Sequence, residues 1–261
     1  MINLAIAIAA AAVLYFGFGF ALGGGSLNPW YGIVPGLIAL VGVYLFLVRR
    51  TMKQLEAIMG RAQVELQKMQ EKAMRVGGRP SQKQMDDMMN NAIAIMKEGY
   101  SLGSWQFLVR QQINGQVGAL LYHQRKYDAA EPYLRNSFYK NWVSQAMLAV
   151  IHFRAKKYDD MTVAFEKGVK ANAKESLLWA LYAWCLWKNQ QADDAIAVLT
   201  RAKENVTDER IDQNLLALQN RKKMRMEGWR EMWFMFALVK PKQPKMQNPF
   251  GGKMHKKSIY R

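Results

Sequence analysis

The chain has 261 residues, 37 Lys+Arg against 20 Asp+Glu for a formal net charge of +17, and 51% apolar residues. That much apolar material excludes a wholly disordered chain, and the length allows one or two domains. A single cysteine, Cys185, excludes a disulfide framework and a cysteine zinc site, and His123, His152 and His255 are too scattered to form a helical pair of metal ligands.

The charge is unevenly spread. Residues 1–48 carry no Asp, Glu, Lys or Arg; segment 49–87 is net +4, 88–220 net +3 and 221–261 net +10. The uncharged start contains two apolar runs. Residues 2–22 form the first, with Asn3 its only strongly polar side chain, and 30–48 form the second. About 20 apolar residues at 1.5 Å rise cross a hydrocarbon core of roughly 30 Å. The turn-rich GGGSLNP between them suits a tight transmembrane hairpin over 1–48. Trp30 and Tyr31 open the second run as interfacial aromatics, and Pro35 sits in its first turns. Arg49 and Arg50 close it, placing the rest of the chain and the N-terminus on the cytoplasmic side, as in a bacterial inner membrane. The rival is a cleaved signal followed by one anchor, against which stand the missing basic n-region and the length of the run. Gly19 and Gly23 have small-xxx-small spacing, which lets two membrane helices approach closely.

From 49 to 79 a linker helix is expected. Met52, Leu55, Met59, Ala62, Leu66, Met69 and Ala73 fall at steps of 3 and 4, the stripe of a coiled-coil seam. Two readings are open: parallel homodimerisation through the hairpin and 52–73, or packing of the stripe on the following domain. Gly77-Gly78-Arg79-Pro80 ends the helix.

The middle of the chain repeats itself. Three segments, beginning near Gln116, Ala146 and Leu181, each read as an apolar helix, a polar turn and a second helix. Second helices open at Tyr127-Asp128, Tyr158-Asp159 and Ala192-Asp193. Within them Ala130, Met161 and Ala195 are equivalent, as are Leu134, Phe165 and Leu199, and the small residues Ser137, Gly168 and Ala202. A half-unit at Ala92, Met96 and Gly99 has the same spacing. Trp179, Tyr182, Ala183 and Leu186 stand at the first-helix positions of the last copy, and Gly118 at one position of the first. This pattern resembles the tetratricopeptide repeat (TPR), a helix-turn-helix unit of about 34 residues. It departs from the family in lacking the terminal proline in all three copies and in carrying His152 and Met161 at the Tyr and Ala positions. The resemblance covers roughly 85–240 and implies an all-α solenoid of three to four helix pairs over 80–239, whose small residues permit close helix packing. Cys185 reads as an inert buried thiol and His152 as a packed residue.

After these, Thr207-Asp208 caps a helix expected to run through Leu215, Leu216 and Leu218 to Met226. Trp229, Met232, Trp233 and Phe236, at i, i+3, i+4 and i+7, then predict a terminal helix that closes the solenoid, with a partner or the bilayer interface as other covers.

In the tetratricopeptide family the first helices line a concave surface that holds peptides. Three equivalent aromatic-basic pairs stand there, Tyr122-His123, Phe153-Arg154 and Trp187-Lys188, with Met147 and Trp184 expected to face the same way. Cations beside aromatics suit an extended, acidic peptide. The competing view makes the aromatics core and the cations favourable charges at helix C-termini. The tail 240–261 has seven Lys/Arg, three Pro and no acid, and is expected to be disordered. With Arg49 and Arg50, its Lys253, Lys256 and Lys257 would meet anionic headgroups. Nucleic acid is the alternative target of the tail. There is no nucleophile-base pair, metal cluster or phosphate loop, so the reading is a membrane-anchored adaptor or scaffold with no catalysis and no cofactor.

Overall fold

The computed structural model describes residues 1–75 and 81–239, the side chains of 69, 70 and 72–75 excepted. Every regular element among them is helical. The described chain falls into two units, Met1–Arg225 and the residues from Met226 on.

The first apolar run is helix α1 (Ile2–Ala21), and the second opens α2 (Pro29–Arg75). Both are long and apolar enough to cross a membrane. Gly24 and Gly25 take left-handed backbone in the turn between them, where a side chain would be strained. The Asn28 side chain accepts from the Trp30 amide at 3.2 Å, and Pro29 supplies a φ already suited to the first helical turn. The close approach of α1 and α2 comes from Gly32 and Gly36, which lie on Tyr15 and Ala11; a Cβ at Gly32 would collide with the Tyr15 carbonyl. Gly19 meets Leu27 and Asn28 of the turn instead, so the helix contact expected of the Gly19–Gly23 pair is made by Gly32–Gly36. This too is a small-xxx-small pair.

Helix α2 is 47 residues long and passes Arg49 without a break. The edge at 48/49 is therefore a change of surroundings within one helix. Beyond it, Leu55 and Ala62 are buried in a cluster with Ala92, Ile93 and Met96 of α3 (Gln82–Glu98) and Val109, Ile113 and Val117 of α4 (Val109–His123), and Met52, Met59 and Leu66 pack on its margin. This part of the stripe is covered inside one chain, whereas a coiled-coil seam would need it open to a second copy. Met69, Ala73 and the expected stop at 77–80 lie outside the described residues. Ser81 opens α3 with a reciprocal cap: its side chain accepts from the Gln84 amide at 3.3 Å, and its own amide donates to Gln84 Oε1 at 3.1 Å.

Helices α5 (Tyr127–Arg135), α6 (Trp142–Arg154), α7 (Tyr158–Ala171), α8 (Ser176–Lys188), α9 (Ala192–Asn205) and α10 (Glu209–Gln219) follow. Packing runs in chain order. Helices α4 and α5, α6 and α7, and α8 and α9 form pairs, joined by α5 on α6, α7 on α8 and α9 on α10; α4 also touches α6, and α6 touches α8. Equivalent positions are equivalently buried: Ala130, Met161 and Ala195 are fully covered, as are Leu134, Phe165, Leu199 and Ala202. At Gly118 an added Cβ would meet the Leu134 side chain at 2.8 Å, so α4 and α5 touch through a glycine.

The joints repeat as well. Arg125, Lys156, Gln190 and Arg221 have left-handed φ and are spaced 31, 34 and 31 residues apart. At each, two amides turn back on the preceding helix. The Arg125 and Lys126 amides donate to Tyr122 and Leu121, those of Lys156 and Lys157 to Phe153 and His152, those of Gln190 and Gln191 to Trp187 and Leu186, and those of Arg221 and Lys222 to Leu218 and Ala217. These bonds satisfy carbonyls that a helix end would otherwise leave open. The fourth joint shows that α10 ends like α4, α6 and α8.

Asp208 caps α10, accepting from the Arg210 amide at 3.0 Å and pairing with its guanidinium at 2.7 Å. The helix stops at Gln219, short of the expected Met226, because buried Asn214 holds the returning chain: its Oδ1 accepts from the Arg225 amide at 2.6 Å and its Nδ2 donates to the Arg225 carbonyl at 3.0 Å. In the second unit, the expected terminal helix is a 3-10 turn at Glu227–Trp229 and one helical turn, α11 (Glu231–Phe234), separated by Arg230 at positive φ. Trp229, Trp233 and Phe236 are nonetheless buried.

Candidate functional site

Two features of the repeats bear on binding. The first is a row of rings and cations. Tyr122 lies edge-on to Tyr127, with centroids 5.3 Å apart, and the Arg154 guanidinium stands 5.0 Å from the Tyr127 ring. Phe153 contacts Tyr158 at 6.4 Å and Trp184 at 6.0 Å, and Lys188 reaches the rings of Trp184 at 5.4 Å and Trp187 at 4.7 Å. The three expected pairs thus form a ladder from α4 to α8, each rung tied to the next unit. Positions on it differ. Met147 is wholly covered, and Tyr122 and Trp184 are buried, so these three serve as core supports and not as surface. Burial pushes the Tyr122 hydroxyl well above its ordinary range, which keeps it neutral. His123, Arg154 and Lys188 are exposed, and Phe153 and Trp187 half-buried. Arg154 and Lys188 lie over aromatic faces, which orients two cations along one edge.

The second feature is a groove of about 410 Å³. Leu55, Met59 and Leu66 of α2 form one wall, with Met96 of α3 beside them. Gln112 and Gln116, one turn apart on α4, face them, and Phe138 and Asn141 at the start of α6 close the end. Asn141 is already engaged as the cap of α6, accepting from the Ser144 amide at 3.2 Å. Gln112, Gln116 and Gln63 are exposed, so an apolar floor is bordered by side-chain amides. Residue-by-residue reading did not single out Gln112 and Gln116. Their signal was their i, i+4 spacing on a first helix, and it gains meaning only once α2 is known to lie opposite.

Elsewhere on the repeats one polar network is closed within the chain. Arg201 of α9 grips Glu166 of α7 through two bonds of 2.8 and 2.9 Å, and the Tyr182 hydroxyl of α8 donates to the same carboxylate at 3.1 Å. The hydrogen bonds from Arg201 hold the Glu166 carboxyl below the usual range. Cys185 is fully buried, and burial pushes its thiol up. His152 is buried too, and burial lowers its pKa. Arg49 and Arg50 are exposed on α2, whereas Lys253, Lys256 and Lys257 lie outside the described residues. No family model matches the chain, and no curated protein or solved structure matches it significantly.

Proposed function

We propose that this chain is a membrane-anchored adaptor of the tetratricopeptide-repeat type. The hairpin crosses the bilayer twice, the helix pairs form a short solenoid on the cytoplasmic side, and the groove holds an extended segment of a partner protein. One observation carries the reading: α2 holds both a stretch long and apolar enough to cross a membrane and a wall of the groove. Met59 and Leu66 stand about 17 and 27 Å along that helix from Val48, so a bound segment is presented close to the bilayer. The chemistry suits an extended peptide. Carboxamides such as Gln112 and Gln116 can both donate to and accept from a main chain, while the methionine and leucine floor takes apolar side chains. The repeated joints and registered burial support the solenoid, and Arg49-Arg50 supports the cytoplasmic side. The ladder adds a preference for acidic segments through Arg154 and Lys188.

The test is photo-crosslinking in native membranes, with a photoreactive residue at Gln112 or Gln116 and a control at Val163, exposed on α7. Discrete adducts at the groove positions and none at Val163 are expected. The same adducts at all three sites, or none at any, would overturn the groove reading. Arg154→Glu with Lys188→Glu is expected to weaken capture of an acidic partner while the chain still folds, with stability lowered by about 1–2 kcal/mol through the lost cation–ring contacts.

A further inference from the structure

The loop between the 3-10 turn Gly99–Ser104 and α4 exposes two large apolar side chains, Trp105 (42% exposed) and Phe107 (56%), on the end of the molecule where the two spans meet the repeats. This loop is fastened to the hairpin. The Asn3 amide donates to the Trp105 carbonyl at 3.2 Å, and the Met1 amine donates to the Ser104 carbonyl. The Asn3 side chain donates to Thr51 Oγ1 at 3.0 Å and approaches Gln106 Oε1 at 3.5 Å. Asn3 is almost fully covered although it lies in an apolar run, so this junction fixes the height of the loop against both spans.

Trp105 and Phe107 line a recess of about 250 Å³ with Met1, Leu4 and Tyr44. Leu4 and Tyr44 belong to the apolar runs, and Tyr44 stands about 6 Å inside Val48 along α2. The two aromatics therefore lie level with the end of the hydrocarbon-length stretch, beside Arg49 and Arg50. The loop is also held in shape. Leu108 has a left-handed φ of 71°, and Gly103 is closely backed by the exposed Arg110 side chain. A rigid loop carrying Trp and Phe at that height, flanked by arginines, has the composition of a membrane-interface anchor, whose rings sit among headgroups and upper acyl chains.

We propose that Trp105 and Phe107 insert into the lipid interface, with the recess against Leu4 and Tyr44 filled by an acyl chain. This gives the repeats a second attachment to the bilayer and fixes how the groove faces it. The proposal rests on the reading that the hairpin spans the membrane.

The experiment uses the full chain reconstituted in vesicles of phosphatidylcholine and phosphatidylglycerol. Single cysteines replace Phe107, Ile38 or Val163, Ile38 being 68% exposed at the middle of the second apolar run, and carry an environment-sensitive fluorophore; Cys185 is buried and stays in place. Nitroxide lipids quench either at the headgroup or deep in the chains. At Phe107→Cys, blue-shifted emission is expected, with headgroup-level quenching about twofold stronger than deep quenching, as for an interfacial residue. Ile38→Cys, about 15 Å inside Val48 along α2, is expected to favour the deep quencher, and Val163→Cys to show neither. Water-like, unquenched emission at 107 with deep quenching at 38 overturns this proposal alone. Water-like emission at 38 overturns the spanning reading and the proposal with it.

Discussion

Helices α1 and α8 are both apolar, yet they are covered in opposite ways. In α8 ten consecutive residues, Leu177–Leu186, are buried by neighbouring helices. In α1 only Asn3, Ala7 and Gly19 are buried, and leucines, valines and phenylalanines face outward. Composition alone does not distinguish them. Length does: 13 residues of helix reach about 20 Å, too short for a bilayer, whereas 20 residues reach about 30 Å. The residues buried in α1 also invert the usual rule, since they are the small and polar ones that touch protein, while the large ones are left uncovered, the pattern a membrane helix requires. Which residues the protein covers thus separates two helices that composition does not.

The strongest way to break this contrast is a pair of truncations. Leu178 in α8 is wholly buried, so Leu178→Ala is expected to cost about 2–5 kcal/mol in chemical denaturation, through lost transfer energy and the cavity left behind. Ile38, 68% exposed on α2, is expected to give Ile38→Ala without measurable change in the same assay. An equal loss at both sites would mean that protein covers both. A charge reverses the ranking of sites: Ile38→Asp is expected to disfavour membrane insertion by up to about 3 kcal/mol, read as a larger soluble or degraded fraction, because a carboxylate near the hydrocarbon centre loses its hydration.

Two smaller effects sharpen the repeat side of the contrast. Removing the cap of α10 by Asp208→Ala is expected to cost about 1 kcal/mol. The hydrogen bond from Arg210 lowers the Asp208 carboxyl from 3.8 to about 2. A carboxyl depressed in the folded state stabilises above its unfolded pKa, so this contribution is present above pH 3.8 and is lost as pH falls towards about 2. Acid titration of wild type and Asp208→Ala should converge in that window. The smallest effect has the opposite sign. Lys156 occupies left-handed backbone at a helix end, where glycine carries no steric penalty. Lys156→Gly is expected to raise stability by about 0.5–1 kcal/mol, part of the relief being offset by the freer unfolded chain.

Much of the helical architecture was legible because it follows from periodicity. Two uncharged runs separated by a glycine turn, and three segments with small residues at matched positions, specify helices whatever their neighbours do. What escaped reading depends on distant partners. The end of α10 rests on Asn214 holding Arg225, eleven residues on, and no local signal announces that pair. The terminal aromatics Trp229, Trp233 and Phe236 have helical spacing, but Arg230 at positive φ interrupts it. At the candidate site the ladder residues were visible as equivalent positions, but burial divides them, with Met147 inside and Lys188 outside. Gln112 and Gln116 stayed inconspicuous, since exposed glutamines on a helix are ordinary until an apolar wall stands opposite.

The amino-acid sequence by itself determined where the helices lie, which stretches are long enough for a bilayer and which positions repeat, because these depend on composition and spacing along the chain. Tertiary structure alone decided that the helix of the second apolar run continues as a wall of the groove, that the stripe at Leu55 and Ala62 packs on α3 and α4, and that Asn3 fastens the loop at Trp105. Each is a contact between residues far apart in the chain, selected by which apolar face finds a complementary surface and which polar group finds a partner, and local pattern holds no record of either.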